Sequence, residues 1–211
     1  MRKLLLFCGV YFCLMTLMAP ASFGAEKILY SFEERTKGWV VPDWAREKSD
    51  YALRGASLSD MAASGGKSSL ALNVDLPATT WGLSVVEVEG NFDWTGYKTL
   101  SCDIYLPGNA PSGITAKLAF TGGADSLWMV MAKPVRLVPG AWKTVSANIT
   151  AKNMDWARIK IDKDGNITRM PAAALTAENI KDVKKIAVHI ESDRKDYEGN
   201  IYLDTVKIST D

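Results

Sequence analysis

Short runs that alternate apolar and polar residues recur from Lys27 to Ile208, separated by Gly, Pro or Asn. A side-chain period of two makes each run a strand with one face turned to a core. Ser69-Leu70-Ala71-Leu72-Asn73-Val74-Asp75 is the clearest. Leu70, Leu72 and Val74 face inward, Gly65-Gly66 turns the chain before it, and Pro77 ends it. The same reading predicts strands over 27–33, 83–89, 99–106, 115–121, 127–133, 142–149, 183–191 and 201–208. Many short strands with turn residues between them predict an all-β fold, two antiparallel sheets packed as a sandwich.

The last of these runs changes phase. Ile201 and Leu203 share a face, and Val206 and Ile208 share one in the opposite phase. One extra residue, a bulge at Asp204-Thr205, reconciles the two halves. A carboxylate at that kink either faces water, as on any edge strand, or is aimed at a metal or another strand.

Two segments lack the strand pattern. Residues 34–64 are charged and weakly periodic, which predicts a long surface loop with a short helical turn. Residues 152–182 resemble an insertion. Ile159-Lys160-Ile161 and Ile167 flank a tight turn at Asp164-Gly165, and Thr176 caps a short helix that runs to Asp182. Asp162-Lys163-Asp164-Gly165-Asn166 does not extend to an EF-hand loop. With Gly165 sixth, Lys160 stands first and Pro171 twelfth, so a hairpin turn is the reading.

The first residues form a secretory signal. Arg2 and Lys3 precede the apolar run Leu4 to Met18, Pro20 breaks it, and Ser22-Phe23-Gly24 offers small residues for cleavage after Gly24, with Ala21 as a second site. The run is shorter than the ~20 residues of a spanning helix, and no second one follows. Residues 1–24 are therefore expected to be a signal peptide and 25–211 one domain, secreted to the extracellular space or periplasm and released from the membrane. Without Arg2 and Lys3, 23 of the 25 basic residues remain against 24 acidic ones, a net charge of about −1. Such a balance predicts no nucleic-acid partner and no membrane surface. Cys102 is the one cysteine after the signal, so no intrachain disulfide is expected, and its place between Leu100 and Ile104 is that of a small core residue.

The seven tryptophans all lie after the signal. An indole can stack on the C–H face of a pyranose ring without demanding hydrogen bonds. Trp39, Trp94 and Trp142 sit beside turns and strands where packing accounts for them, and Trp156 is undecided. Trp44 lies in the charged loop beside Asp43 and Arg46, Trp81 in the Thr-rich stretch Thr79-Thr80-Trp81-Gly82, and Trp128 on a strand in opposite phase to Leu127 and Met129. These three are the stacking candidates. Asp103, Tyr105, Lys117, His189 and Glu191 are read as projecting from outward strand faces. Placed side by side in one sheet, they would surround Trp128 with donors and acceptors for sugar hydroxyls; the alternative is an ordinary solvated face. A lone His189 supports neither a zinc site nor a catalytic triad. Glu87 and Glu89 are a carboxylate pair roughly 7 Å apart along a strand, within glycosidase range but common on solvated sheets.

The order of Phe32-Glu33 with Gly38-Trp39, Gly65-Gly66-Lys67-Ser68-Ser69-Leu70, Asp93-Trp94-Thr95-Gly96-Tyr97, Gly140-Ala141-Trp142 and Gly199-Asn200-Ile201-Tyr202-Leu203-Asp204 resembles the galactose-binding-like jelly-roll modules. The nearest likeness is to the carbohydrate-binding modules attached to bacterial mannanases and β-glucanases. The resemblance implies a jelly-roll sandwich, no catalysis, and a polysaccharide or oligosaccharide partner. It also implies a structural calcium held by Glu33 and Asp204, with carbonyls from the Gly66-Lys67-Ser68 turn, since oxygen ligands suit that ion. Two other readings are carried: an exported interaction or assembly protein that uses the same face for a protein partner, and a glycan-cleaving enzyme.

Overall fold

The computed structural model describes residues 24–46, 48, 51–124, 127–161 and 167–211. The signal segment up to Phe23 and the turn at 162–166 lie outside the described residues. Thirteen strands and two short helices are described. They are β1 (Glu26–Tyr30), α1 (Asp43–Arg46), β2 (Leu53–Ser59), β3 (Ser69–Leu76), β4 (Trp81–Phe92), β5 (Thr99–Leu106), β6 (Thr115–Gly122), β7 (Leu127–Met131), β8 (Val135–Arg136), β9 (Ala141–Asn148), β10 (Trp156–Ile161), β11 (Ile167–Ala173), α2 (Ala177–Lys181), β12 (Val183–Asp193) and β13 (Tyr197–Ser209). No described helix is long and apolar enough to cross a membrane.

The strands form two sheets. One runs β2-β3-β13-β5-β9, with β1 also on β13; the other runs β11-β10-β7-β6-β12-β4, with β8 on β6. Neighbouring strands within each sheet are antiparallel. The predicted all-β sandwich is what the chain forms. Alternation places the core: Leu70, Leu72 and Val74 of β3, Leu100, Cys102 and Ile104 of β5, and Ala116, Leu118 and Phe120 of β6 all join one buried cluster. Trp39, Trp94 and Trp156 are among its largest fully buried side chains, so burial resolves Trp156 as a packing residue. Its indole donates to the Asn148 carbonyl at 2.7 Å, which satisfies the polar edge of a buried ring. Cys102 is buried, and desolvation, with the Asp103 carboxylate second, raises its thiol pKa.

The bulge in the last strand is present. Asp204 pairs with Asp103 and Lys207 with Ser101, so β13 advances three residues while β5 advances two. Thr205 takes φ 46°, the left-handed region. The extra residue keeps Ile201, Leu203, Val206 and Ile208 all in the core. At the same point the other edge of β13 passes from β3, which pairs with 197–203, to β1, which pairs with 206–209.

The segment 34–64, expected as a loop, contains α1 and the whole of β2. Its alternation is faint because Arg54-Gly55-Ala56-Ser57 offers little contrast between faces. Two isolated bridges lie on the edge of β4 away from β12, one from Val40 to Glu87 and another from Tyr51 to Leu83. The insertion is the β10–β11 hairpin followed by α2. Thr176 caps α2 as expected: its hydroxyl accepts from Asn179 N at 3.1 Å, while Asn179 Oδ1 accepts from Thr176 N at 3.0 Å. A Cβ at Gly122 would stand 2.3 Å from the Asn179 carbonyl oxygen, so this close approach requires glycine.

Candidate functional site

The β4–β12–β6–β7–β10–β11 sheet carries a cleft on its outer face, with a volume of about 410 Å³. That lies in the range of small-ligand pockets, ~300–1,000 Å³. Its lining includes Trp44, Trp81, Trp128, Lys117, His189 and Glu191, six of the eight residues expected to bind ligand. Trp128 comes from β7, Lys117 from β6, His189 and Glu191 from β12. Trp81 opens β4 rather than lying in a loop, and is 44 % exposed.

Trp44 reaches the cleft because the bridges at Val40 and Tyr51 lash its segment to β4, while the adjacent Ala45 is buried. An edge-to-face chain of rings results. Trp44 meets Tyr51 at 5.3 Å and Trp128 at 5.0 Å, and Trp128 meets His189 at 5.9 Å. Each such pair contributes about 0.5–1.5 kcal/mol beyond its buried area, so the aromatic wall is held rather than adaptable.

The polar floor is ordered differently. Lys117 and Glu191 form an ion pair at 2.8 Å with both side chains nearly buried. His189 pairs with Lys117 across the β12–β6 ladder and with Val85 across β12–β4. It is 5 % exposed, and its buried Nε2 has no hydrogen-bond partner among the described residues. Burial, and secondarily the Lys117 ammonium, push its pKa down to about 3. The imidazole is therefore neutral at ordinary pH, with a ring nitrogen unused beside the cleft.

That depression has a consequence for stability. The unfolded chain takes up a proton on this histidine near its ordinary pKa of 6.5, whereas the folded protein refuses it down to about 3. The stabilising contribution is whole above 6.5 and is lost as pH falls toward 3. Each unit of acidification within that window is expected to cost about 1.4 kcal/mol. Urea midpoints between pH 5 and about 7.5 test this. The acid slope should be smaller in His189→Gln, and an equal slope in both proteins would remove the argument.

Asp103 and Tyr105 are not at this cleft. Strand β5 lies in the other sheet, between β13 and β9. Alternation shows that these side chains point outward but not from which sheet. Tyr105 stands in a cross-strand row with Trp142 at 5.5 Å and Tyr202 at 6.1 Å. Asp103 accepts from Thr144 Oγ1 at 2.6 Å and from Ser64 Oγ at 2.9 Å. The cleft also includes six residues not selected from the sequence: Leu83 and Val130 on predicted strands, Lys48 and Tyr51 from the segment expected as a loop, and Ile159 and Arg169 from the segment expected as an insertion. The β10–β11 hairpin signal was legible there, but not its position beside β7.

Glu87 and Glu89 share Lys185, at 2.5 and 3.5 Å, and neither lines the cleft. Glu87 is 5 % exposed. An ion-paired, buried carboxylate beside an exposed one accounts for this pair as structure.

Glu33 and Asp204 converge on one turn. Asp204, fully buried, accepts from Ser64 N at 2.8 Å, Gly65 N at 3.1 Å and Thr205 N at 2.7 Å. Glu33 accepts from Lys67 N at 3.0 Å. A Cβ on Gly66, at φ 76°, would fall 2.1 Å from the Glu33 carboxylate, so the cradle exists only with glycine there. Among the described residues Asp204 forms no ion pair with Lys, Arg or His. The oxygens that fit a calcium ion in kind are those of the two carboxylates themselves, Glu33 and Asp204, whose described partners include backbone N–H groups. No described group gathers three or more His, Cys, Asp or Glu, so further ligands would have to be backbone carbonyls or water.

No family model and no curated protein matches the chain. Solved structures do. A carbohydrate-binding module of family 27 from Caldicellulosiruptor saccharolyticus, in complex with mannohexaose, is 20 % identical with a TM-score of 0.52, over 89 % of this chain and 98 % of that one. A family 11 module from Clostridium thermocellum, in complex with a β-1,3-1,4-mixed-linked tetrasaccharide, is 17 % identical with a TM-score of 0.51, over 89 % and 96 %. The xylan-binding CBM22-1 domain from Paenibacillus barcinonensis Xyn10C is 13 % identical with a TM-score of 0.51, over 89 % and 97 %. The fold is thus the β-sandwich jelly roll of carbohydrate-binding modules, as the ordered sequence pieces imply.

Proposed function

We propose that this protein is a secreted, non-catalytic glycan-binding module whose ligand lies in the Trp44–Trp81–Trp128 cleft. The observation that carries the reading is the combination of an aromatic wall with a polar floor whose His189 Nε2 lacks a partner. A pyranose ring offers an apolar face for the indoles and hydroxyls for Lys117, His189 and Glu191. The similar modules bound to mannohexaose and to a mixed-linked tetrasaccharide support a glycan as the ligand class. Secretion rests on residues 1–24.

The reading as a protein-interaction surface predicts a broad apolar patch. Ile28, Met61, Val138 and Met154, among the exposed large apolar residues, do not line the cleft, which is a groove with discrete aromatics. Electrophoresis through gels containing mannan, mixed-linked glucan, xylan or acidic polysaccharides tests the proposal. Retardation by at least one is expected; uniform mobility in all would sink it, and release of new reducing ends would favour the enzyme.

Calcium at Glu33 and Asp204 is part of the proposal. The ion would neutralise a buried carboxylate and hold the 64–67 turn to both chain ends, a structural role away from the cleft. A melting temperature that falls in chelator and recovers with added calcium is the expected outcome. Identical curves in both conditions would exclude the ion.

A further inference from the structure

We propose that the cleft selects an acidic sugar, a glycan whose rings carry carboxylates, and that Arg169 meets the carboxylate; this rests on the glycan-binding reading above. The charges of the cleft point to it. Among the described residues that line it, Glu191 is the one acidic side chain, and that charge is already neutralised by Lys117 at 2.8 Å. Two cations, Lys48 and Arg169, are left over. Among the described residues neither forms an ion pair. Lys48 is exposed and stands 5.8 Å from the centre of the Tyr51 ring. Arg169 is exposed and, among the described residues, donates one side-chain bond, to the Ala132 carbonyl at 3.3 Å, out of the five its guanidinium can make.

The register puts that fork within reach of a stacked ring. Trp128 pairs with Ile159 and Ile159 with Arg169, one row across β7, β10 and β11. Adjacent strands are about 4.8 Å apart, so the Trp128 and Arg169 backbones stand roughly 10 Å apart on one face. A pyranose stacked on Trp128 would fill much of that interval, and a carboxylate on its rim would meet the guanidinium. Arg is suited to this task because its planar fork matches a carboxylate in two parallel bonds. His189, uncharged and with Nε2 unpartnered, completes the site by hydrogen-bonding a ring hydroxyl. A neutral glycan would leave both cations uncompensated in the bound state.

Calorimetric titration tests this with five probes: oligogalacturonate, oligomannuronate, the carboxyl-reduced form of each, and a sulfated glucan without carboxylates. At least one uronate should bind about tenfold tighter than its reduced form, the effect of one charge-assisted contact. Arg169→Gln should remove that advantage, Lys48→Gln should reduce it, and Arg169→Lys should retain part of it. Raising salt from about 0.05 M to about 0.5 M should weaken uronate binding less in Arg169→Gln than in the unmodified protein. Equal affinity for a uronate and its reduced form, or an Arg169→Gln protein that keeps the preference, overturns the inference. If Trp128→Ala still abolishes binding of the neutral form, the glycan reading survives that result. Preference for the sulfated glucan over every uronate overturns the carboxylate assignment. Absence of binding to every probe and to the gel polysaccharides overturns both.

Discussion

Asp204→Ala is expected to lower the melting temperature by about 10 °C or more. The reason lies in what the carboxylate holds. It is fully buried and accepts backbone N–H bonds from Ser64, Gly65 and Thr205. Hydrogen bonds to a charged acceptor are worth about 1.5–3 kcal/mol each, and truncation leaves buried donors unpaired. The bulge raises the stakes. At Asp204 the edge of β13 changes partner from β3 to β1, so neither ladder covers this point. Asp204→Asn separates the contributions: it keeps one carbonyl acceptor and loses the charge. It should restore part of the lost stability while abolishing the proposed calcium dependence. Differential scanning calorimetry measures both. A melting temperature within about 2 °C of the unmodified protein, less than the effect of losing one such bond, would remove the clamp from the account.

Trp128→Ala is expected to weaken glycan binding by about a hundredfold or more, which is the range of a central aromatic anchor. Trp128 is the ring that joins the two halves of the site, touching Trp44 on one side and His189 on the other. Its removal therefore takes away a stacking surface and also frees Trp44 to move. The fold should survive, because Trp128 projects from the outer face while its neighbour Met129 lies in the core. Tyr105→Ala is the matched control. It removes an aromatic of the other sheet, in a row with Trp142 and Tyr202, and should leave affinity unchanged. A larger loss from Tyr105→Ala than from Trp128→Ala would place the ligand on the wrong sheet for the present proposal.

Much of the fold was legible because strand alternation is a local property. The chain needs only a polar and an apolar neighbour to declare a face, and the runs at Leu70, Leu100, Ala116 and Ile186 did so. The missed strand β2 shows the limit. Its burial is mixed along its length, so its side chains carried no clear contrast. At the site, Trp128, Lys117, His189 and Glu191 were selected as polar or bulky residues on a strand face not needed for the core, and Trp44 and Trp81 as indoles in stretches with no apolar pattern to bury them. Asp103 and Tyr105 met the strand-face criterion and belong to the other sheet. Lys48, Tyr51, Ile159 and Arg169 failed it only because their segments did not read as strands beside the cleft.

The phase slip at Asp204-Thr205 is the clearest thing the amino-acid order determined alone. A period of two cannot put Leu203 and Val206 in the same core without an added residue, and the register shift and the left-handed Thr205 are that residue's geometry. The order of residues also determined which face of each strand is buried. It did not determine which sheet a strand joins. That choice depends on pairings between residues far apart in the chain, such as Tyr105 with Tyr202 rather than with Lys117. Only the tertiary structure therefore decided that β12, β6 and β7 stand together with β10 and β11. That arrangement turned three separate tryptophans, an ion pair and two spare cations into one cleft.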